Sequence, residues 1–357
     1  MKLNLNLYQL SRIGIALSCL AACYSMAADA PSVDPDYTLY TKPQQLAVLP
    51  DGRKIHLFCA GEGSPTVIFT TGLGDWSLVW NKVQGPIALK TRTCAWDRAG
   101  FGFSDPSPWP QDIKHTTDDL ESALKAARID GPYVMVGHLL GGYESLRFAD
   151  RHADQVVGMV LVDPSIPNQA QRMKAVAPKL SIALKKLFAQ DASQSKTCAT
   201  KIKNGSLTLT SADPDECFSY DPEYPTNLKN SMRALDSKPA RWVTKASLLA
   251  QFDTSSTEVI NKSRNFGSMP LRILTAADPQ EMPPTIGSAA IAQYPTFFAE
   301  FLHGHDALAA LSTNGTNTVV QGPSHYIHLI KPDIVISTIS QMVDEIQLKT
   351  KLAAKQN

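Results

Sequence analysis

Several things are missing from these 357 residues, and each absence excludes something. There is no charge surplus. Lys and Arg total 34 against 33 Asp and Glu, a net charge of +1. That removes the basic footprint of nucleic-acid binding and the acidic excess of a solvating tail. No internal repeat or low-complexity tract is present, which excludes a solenoid. The cysteines form no C-x-x-C and no zinc-type spacing, so no metal site is expected. The glycine-rich "GLGDW" lacks the lysine and the G-x-x-x-x-G-K spacing of a phosphate loop, so no nucleotide site and no cofactor are read. His303 and His305 have no acidic or cysteine partner at ligand spacing, and both are expected at the surface.

What is present suits a globular chain, with 43% hydrophobic and 19% charged residues. The N-terminus reads as a targeting segment. Lys2 and Arg12 flank a polar stretch, and "IGIALSCLAAC" (Ile13–Cys23) is an apolar core too short to span a bilayer as a helix. Two processing sites stand open. "SMA" (Ser25–Ala27) fits ordinary signal peptidase and gives a leader over 1–27. "LAAC" (Leu20–Cys23) is similar to a lipobox, which would make Cys23 a lipid anchor. Either way the expected location is exported: periplasmic or secreted, or on the outer membrane as a lipoprotein. Four cysteines remain, Cys59, Cys94, Cys198 and Cys217, and an even count in an oxidising compartment favours disulfides.

Beyond the leader, strand and helix signals alternate. "QQLAVLP" and "KIHLFCAG" are joined by Asp51-Gly52, a hairpin signal. "PTVIFTTG", "TCAWD", "PYVMVG" and "VVGMVLVD" are continuous apolar runs, the form of strands buried on both faces. "DDLESALKAARI" (Asp118–Ile129) has helical spacing behind an aspartate pair, and "GGYESLRFADRH" is a second helix. The alternation argues for a parallel sheet covered by helices. It lapses over 164–269 and resumes with "PLRILTA", a helix around "PTFFAEFLHGHDALAALS", the strand "NTVVQG" (Asn317–Gly322), and a helix from Pro332 to about Lys349. An interruption of roughly 100 residues is too long for a structureless loop and reads as a lid inserted into a core of 28–163 and 270–357.

Four segments then resemble the α/β-hydrolase superfamily: "TTGLGDWSLVW", "DRAGFGFSDP" (Asp97–Pro106), "GHLLGG" and "GPSHYIHL" (Gly322–Leu329). The resemblance covers nearly everything after residue 45 except the lid. It implies an eight-stranded, mostly parallel sheet with helices on both faces and a helical lid. It also implies an esterase-like hydrolase acting on an ester, lactone or amide. "GHLLGG" stands where the family keeps G-x-S-x-G on a tight strand-to-helix turn, so Gly137 and Gly141 are its glycines. Leu140 N–H and Leu73 N–H are the implied oxyanion donors, and His325 is the implied general base. The implied acid is Asp278, after "RILTA". Asp163, after "VVGMVLV", is the alternative. His328 is expected as a wall or lid contact. In the family's strand order the second strand lies antiparallel beside the fourth, which implies a Cys59–Cys94 disulfide and leaves Cys198 to pair with Cys217.

The departure is at the nucleophile position, where Leu139 replaces serine. Leucine cannot attack a carbonyl, and losing the serine of a triad costs about six powers of ten in turnover. Ser145 lies six residues along the helix and is read as too far away to substitute. Three readings follow. The chain is a hydrolase turned to non-catalytic binding of a ligand or partner, an active serine hydrolase of which this sequence is a variant at position 139, or an enzyme working with His325 and an acid alone.

Overall fold

The computed structural model describes residues 36–213, 215–277, 284–322 and 325–355. The expected leader, with Cys23, and the expected acid Asp278 lie outside the described residues.

One eight-stranded sheet organises the chain. Its strands are β1 (Gln45–Val48), β2 (Lys54–Ala60), β3 (Thr66–Thr70), β4 (Thr93–Trp96), β5 (Tyr133–His138), β6 (Val156–Val162), β7 (Leu271–Ala276) and β8 (Gly315–Val320). The order across the sheet is β1-β2-β4-β3-β5-β6-β7-β8. β2 pairs antiparallel with β1 and β4, and every other pairing is parallel. The expected mostly parallel α/β architecture is therefore observed. Gly52 turns the β1–β2 hairpin at φ +87.

The helices are α1 (Gln84–Ala88), α2 (Ile113–Ala126), α3 (Leu140–Arg151), α4 (Gln169–Val176), α5 (Pro178–Lys203), α6 (Thr226–Asp236), α7 (Pro239–Glu258), α8 (Ser288–Ile291), α9 (Tyr294–Ala309), α10 (Ile327–Ile330) and α11 (Pro332–Ala354). The central strands are apolar throughout because both faces are covered. Val134 and Val136 of β5 pack into a core with Ile87 of α1 and Val335, Ile339 and Val343 of α11. Met135, between them, points to the opposite core with Leu120 of α2 and Leu146 of α3. This two-residue alternation is the strand period.

Helix α2 begins five residues before the expected start. Asp112 is its cap, with Oδ1 accepting the His115 N–H at 2.9 Å. The aspartate pair instead sits within the helix, where Asp119 receives both terminal nitrogens of Arg53 at 2.6 and 2.9 Å. β8 likewise begins two residues early.

Between β6 and β7 the described residues contain only helices and turns, α4 to α7 among them. Cys198 and Cys217 are bonded there, with Cα atoms 5.9 Å apart, in a small core with Leu207, Phe218 and Trp242. Cys59 and Cys94 stand opposite one another on β2 and β4 and are bonded with Cα atoms 4.1 Å apart. Both expected pairings are present. Among the described residues no helix is long and apolar enough to cross a membrane.

Candidate active site

The site is built where β3, β5, β6 and β7 end. β5 stops at His138, and α3 starts at Leu140. Leu139 makes the reversal alone, at φ 48 and ψ −112. For a branched side chain that conformation costs roughly 1–3 kcal/mol. The turn is tight enough to exclude Cβ atoms nearby. One added at Gly141 would lie 2.6 Å from Thr70 O, and one at Gly142 2.7 Å from Pro164 Cβ. The Leu139 carbonyl accepts from Gly142 and Ser165 N–H, each at 3.0 Å. Ser145 is nearer the turn than its spacing suggests. Its Oγ is 2.7 Å from where a Gly137 Cβ would stand, but it is fully buried and donates to the Gly141 carbonyl at 2.9 Å. It is bound to backbone behind the turn.

His325 precedes α10, and its Nδ1 is 2.6 Å from Asp163 Oδ2. The other carboxylate oxygen, Oδ1, accepts the Ala276 N–H at 3.0 Å. Strand register makes this meeting possible. His138 pairs with Val162, so the next residue on each strand, Leu139 and Asp163, emerge side by side. Asp163 itself turns at φ 42. The carboxylate that meets His325 thus comes from the end of β6.

A buried ion pair supports the neighbouring loop. Arg98 Nε and Nη2 reach Glu144 at 2.6 and 2.8 Å, and neither side chain is exposed. The remaining Arg98 donors go to Gly72 O at 2.8 Å, Thr71 O at 2.6 Å and Thr71 Oγ1 at 2.9 Å. The fork holds the backbone that leads to Leu73, next to the N-terminus of α3. Among the described residues neither the Leu73 N–H nor the Leu140 N–H donates to another backbone group. Two unengaged amides near a helix N-terminus suit a developing negative charge.

Asp75 carries a further chemical signal, which the sequence reading missed. Its Oδ2 is sealed from solvent and has no hydrogen-bond partner among the described residues. Burial pushes its carboxyl up to about 6, against the pull of Arg241, Arg98, His325 and Lys245. Arg241 comes from α7, donates to Gly74 O at 2.9 Å and stacks 4.2 Å over Phe101. Arg241 reaches Gly74 across a sequence separation of 167, so no local pattern announces the contact. The Asp75 charge, together with burial, raises the Tyr326 hydroxyl above its ordinary range.

The other histidines divide. His138 is buried, with its ring 4.4 Å from that of His325 and 4.5 Å from that of His328. His328 is buried against Trp80 at 4.5 Å, and burial, reinforced by the charge of His325, lowers it to about 3. Burial also holds His138 well below the ordinary histidine value. Both rings are neutral walls beside His325, so His328 does have the wall position. His303 is exposed, as expected. His305 is not: it is fully buried, with Nδ1 2.7 Å from Thr275 Oγ1 and Nε2 donating to Pro164 O at 2.7 Å. The helical face of α9 that carries it packs on β7, and its two hydrogen bonds make burial tolerable.

Residues 65–243 match the alpha/beta hydrolase fold family. An uncharacterized protein of Schizosaccharomyces pombe is 43% identical over 83 residues, 23% of this chain and 16% of that protein. The lipase LipV of Mycobacterium tuberculosis is 30% identical over 127 residues, 34% of this chain and 46% of the lipase. The chain thus spans less than half the length of either relative. Among solved structures, the ligand-free epoxide hydrolase CorEH superposes with a TM-score of 0.58 at 17% identity, covering 85% of this chain and 98% of that one. At that identity the likeness is one of fold. With the family match covering half of its length, sheet order and strand-end site included, the chain belongs to the alpha/beta hydrolase fold family.

Proposed function

We propose that this chain is an exported hydrolase-lineage protein for carboxylic ester, lactone or amide ligands, with acyl transfer disabled at the single position 139. His325 is its general base and Asp163, rather than Asp278, its acid. The Leu73 and Leu140 N–H groups are its oxyanion donors, and α4 to α7 form its lid. One observation carries the reading: the 2.6 Å His325–Asp163 pair stands beside a strained turn whose apex is leucine. In the family's chemistry a hydroxyl at that apex gives its proton to the histidine, and the carboxylate steadies the imidazolium that forms. Here the proton acceptor and its partner remain while the nucleophile is absent. The match to a protein named as a lipase supports ester ligands. Bound ligand without turnover is the consequence for the chain as it stands.

A second reading is favoured by Asp75 and the intact pair. A base paired with a buried carboxylate, close to a second carboxyl raised to about 6, suits proton transfer without a covalent intermediate.

Activated esters separate the two. The native chain is expected to leave p-nitrophenyl butyrate unhydrolysed. Leu139→Ser is expected to gain hydrolysis, and His325→Ala in that protein to remove it. A folded Leu139→Ser protein that stays inert would overturn the ancestral acyl-transfer reading. Hydrolysis by the native chain, lost in His325→Ala alone, would favour direct base catalysis.

A further inference from the structure

A spacious cavity lies outside the cluster around His325. It is a trough of about 720 Å³ between α4, α5 and α7, lined also by Phe297 of α9. Neither His325, Asp163 nor Leu139 lines it. One face of α5 forms a wall, in which Ile182, Lys185, Ala189, Ser193 and Lys196 recur at helical spacing. From Ser181 to Lys196 that wall runs about 22 Å at the rise of an α-helix. The floor is apolar. Phe188, Leu249 and Phe252 line it, and Phe188 and Leu73 both pack against the buried cluster of Ala192, Ala246 and Leu249. The trough and the loop carrying Leu73 therefore share one apolar cluster.

The rim is basic. Lys174, Lys185 and Lys196 open onto the trough, with Asp253 the one acidic lining residue. Asp253 is already taken by Lys185 at 2.8 Å. Lys174 and Lys196 are exposed and form no ion pair among the described residues. The surrounding segment has the same character. Residues 169–203 carry eight Lys or Arg and one acidic residue, Asp191, in a chain of net charge +1. Ile182 stands 65% exposed at the edge of this basic surface.

We propose that the trough is a binding site for a single-chain anionic amphiphile, a long-chain fatty carboxylate. Its chain lies along the apolar floor between α5 and α7, and its carboxylate is held at one end of the rim, by Lys174 or by Lys196. An elongated apolar cleft with cations only at its edge matches that ligand and no compact polar one. The site stands apart from the reaction chemistry, so it holds whether or not acyl transfer is the ancestral activity.

The full chain titrated with hexadecanoate by calorimetry is expected to bind one equivalent. Lys174→Glu with Lys196→Glu should weaken that binding by tenfold or more and leave hexadecanol, the neutral chain of the same length, within about threefold. Ala189→Trp, at an exposed wall position, should abolish both. Butyrate should not bind. Anionic phospholipid vesicles test the other source of the same chemistry. Capture by vesicles without saturable binding of free hexadecanoate would overturn the proposal, as would hexadecanoate binding that survives Ala189→Trp. Circular dichroism of each variant checks that the fold is retained.

Discussion

Removing the Asp163 carboxylate separates the two acids that the sequence leaves open. Its side chain is 7% exposed and satisfies two donors, His325 Nδ1–H at 2.6 Å and Ala276 N–H at 3.0 Å. Asp163→Ala strands both. A buried unsatisfied donor costs about 1–3 kcal/mol, so the loss should be about 2–5 kcal/mol. Alanine gives no relief of the φ of 42, whereas Asp163→Gly should recover about 1 kcal/mol of it. Urea unfolding of the native chain and these variants measures the difference without any need for activity. The catalytic arm uses Leu139→Ser as background. There Asp163→Asn should lower the gained turnover by about four powers of ten, because the histidine loses the partner that holds its tautomer. Asp278→Ala in the same background should change turnover only a few-fold. The reverse outcome, with turnover lost on removing Asp278 and kept on removing Asp163, would refute the assignment.

Two further outcomes are expected. Asp75 has a folded value of about 6, above its ordinary 3.8, so the fold binds a proton that the unfolded chain releases. Its favourable contribution is complete below about pH 4 and disappears as pH rises through about 6. Asp75→Asn should then raise stability by about 1–2 kcal/mol at about pH 8, discounted for partial exposure, and by almost nothing at about pH 4. Melting temperatures across that range check it, and a gain at low pH only would contradict the sign. The Cys198–Cys217 bridge closes a loop with a sequence separation of 19. Replacing both by serine should cost about 3 kcal/mol on the chain-entropy estimate. Four free thiols in the unreduced protein would show the bridges absent.

Much of the architecture is local and so legible in the sequence. Apolar runs bounded by turns mark β3 to β6, because a strand buried on both faces needs no polar positions. Asp51-Gly52 marks the first hairpin, since Gly52 takes a positive φ. The glycines around Leu139 mark the sharp turn, where a Cβ would strike α3, β3 or Pro164. His325 was reached by its order along the chain. Asp163 was reached only as the alternative acid, because which carboxylate meets His325 depends on how β6 registers against β5 and β7, strands joined through long excursions. The burial of His305 was not reached: it follows from α9 packing on β7 and from hydrogen-bond partners contributed by Pro164 and Thr275. Asp75 was missed for the same reason: its carboxyl is raised by burial in the folded chain, and Arg241 and Lys245, which pull against that rise, come from α7 within the insertion. Sequence alone determined where the backbone must turn and which apolar runs must be buried. Tertiary structure decided which charged groups face one another, because electrostatic pairing depends on distances of a few ångströms that chain spacing does not encode.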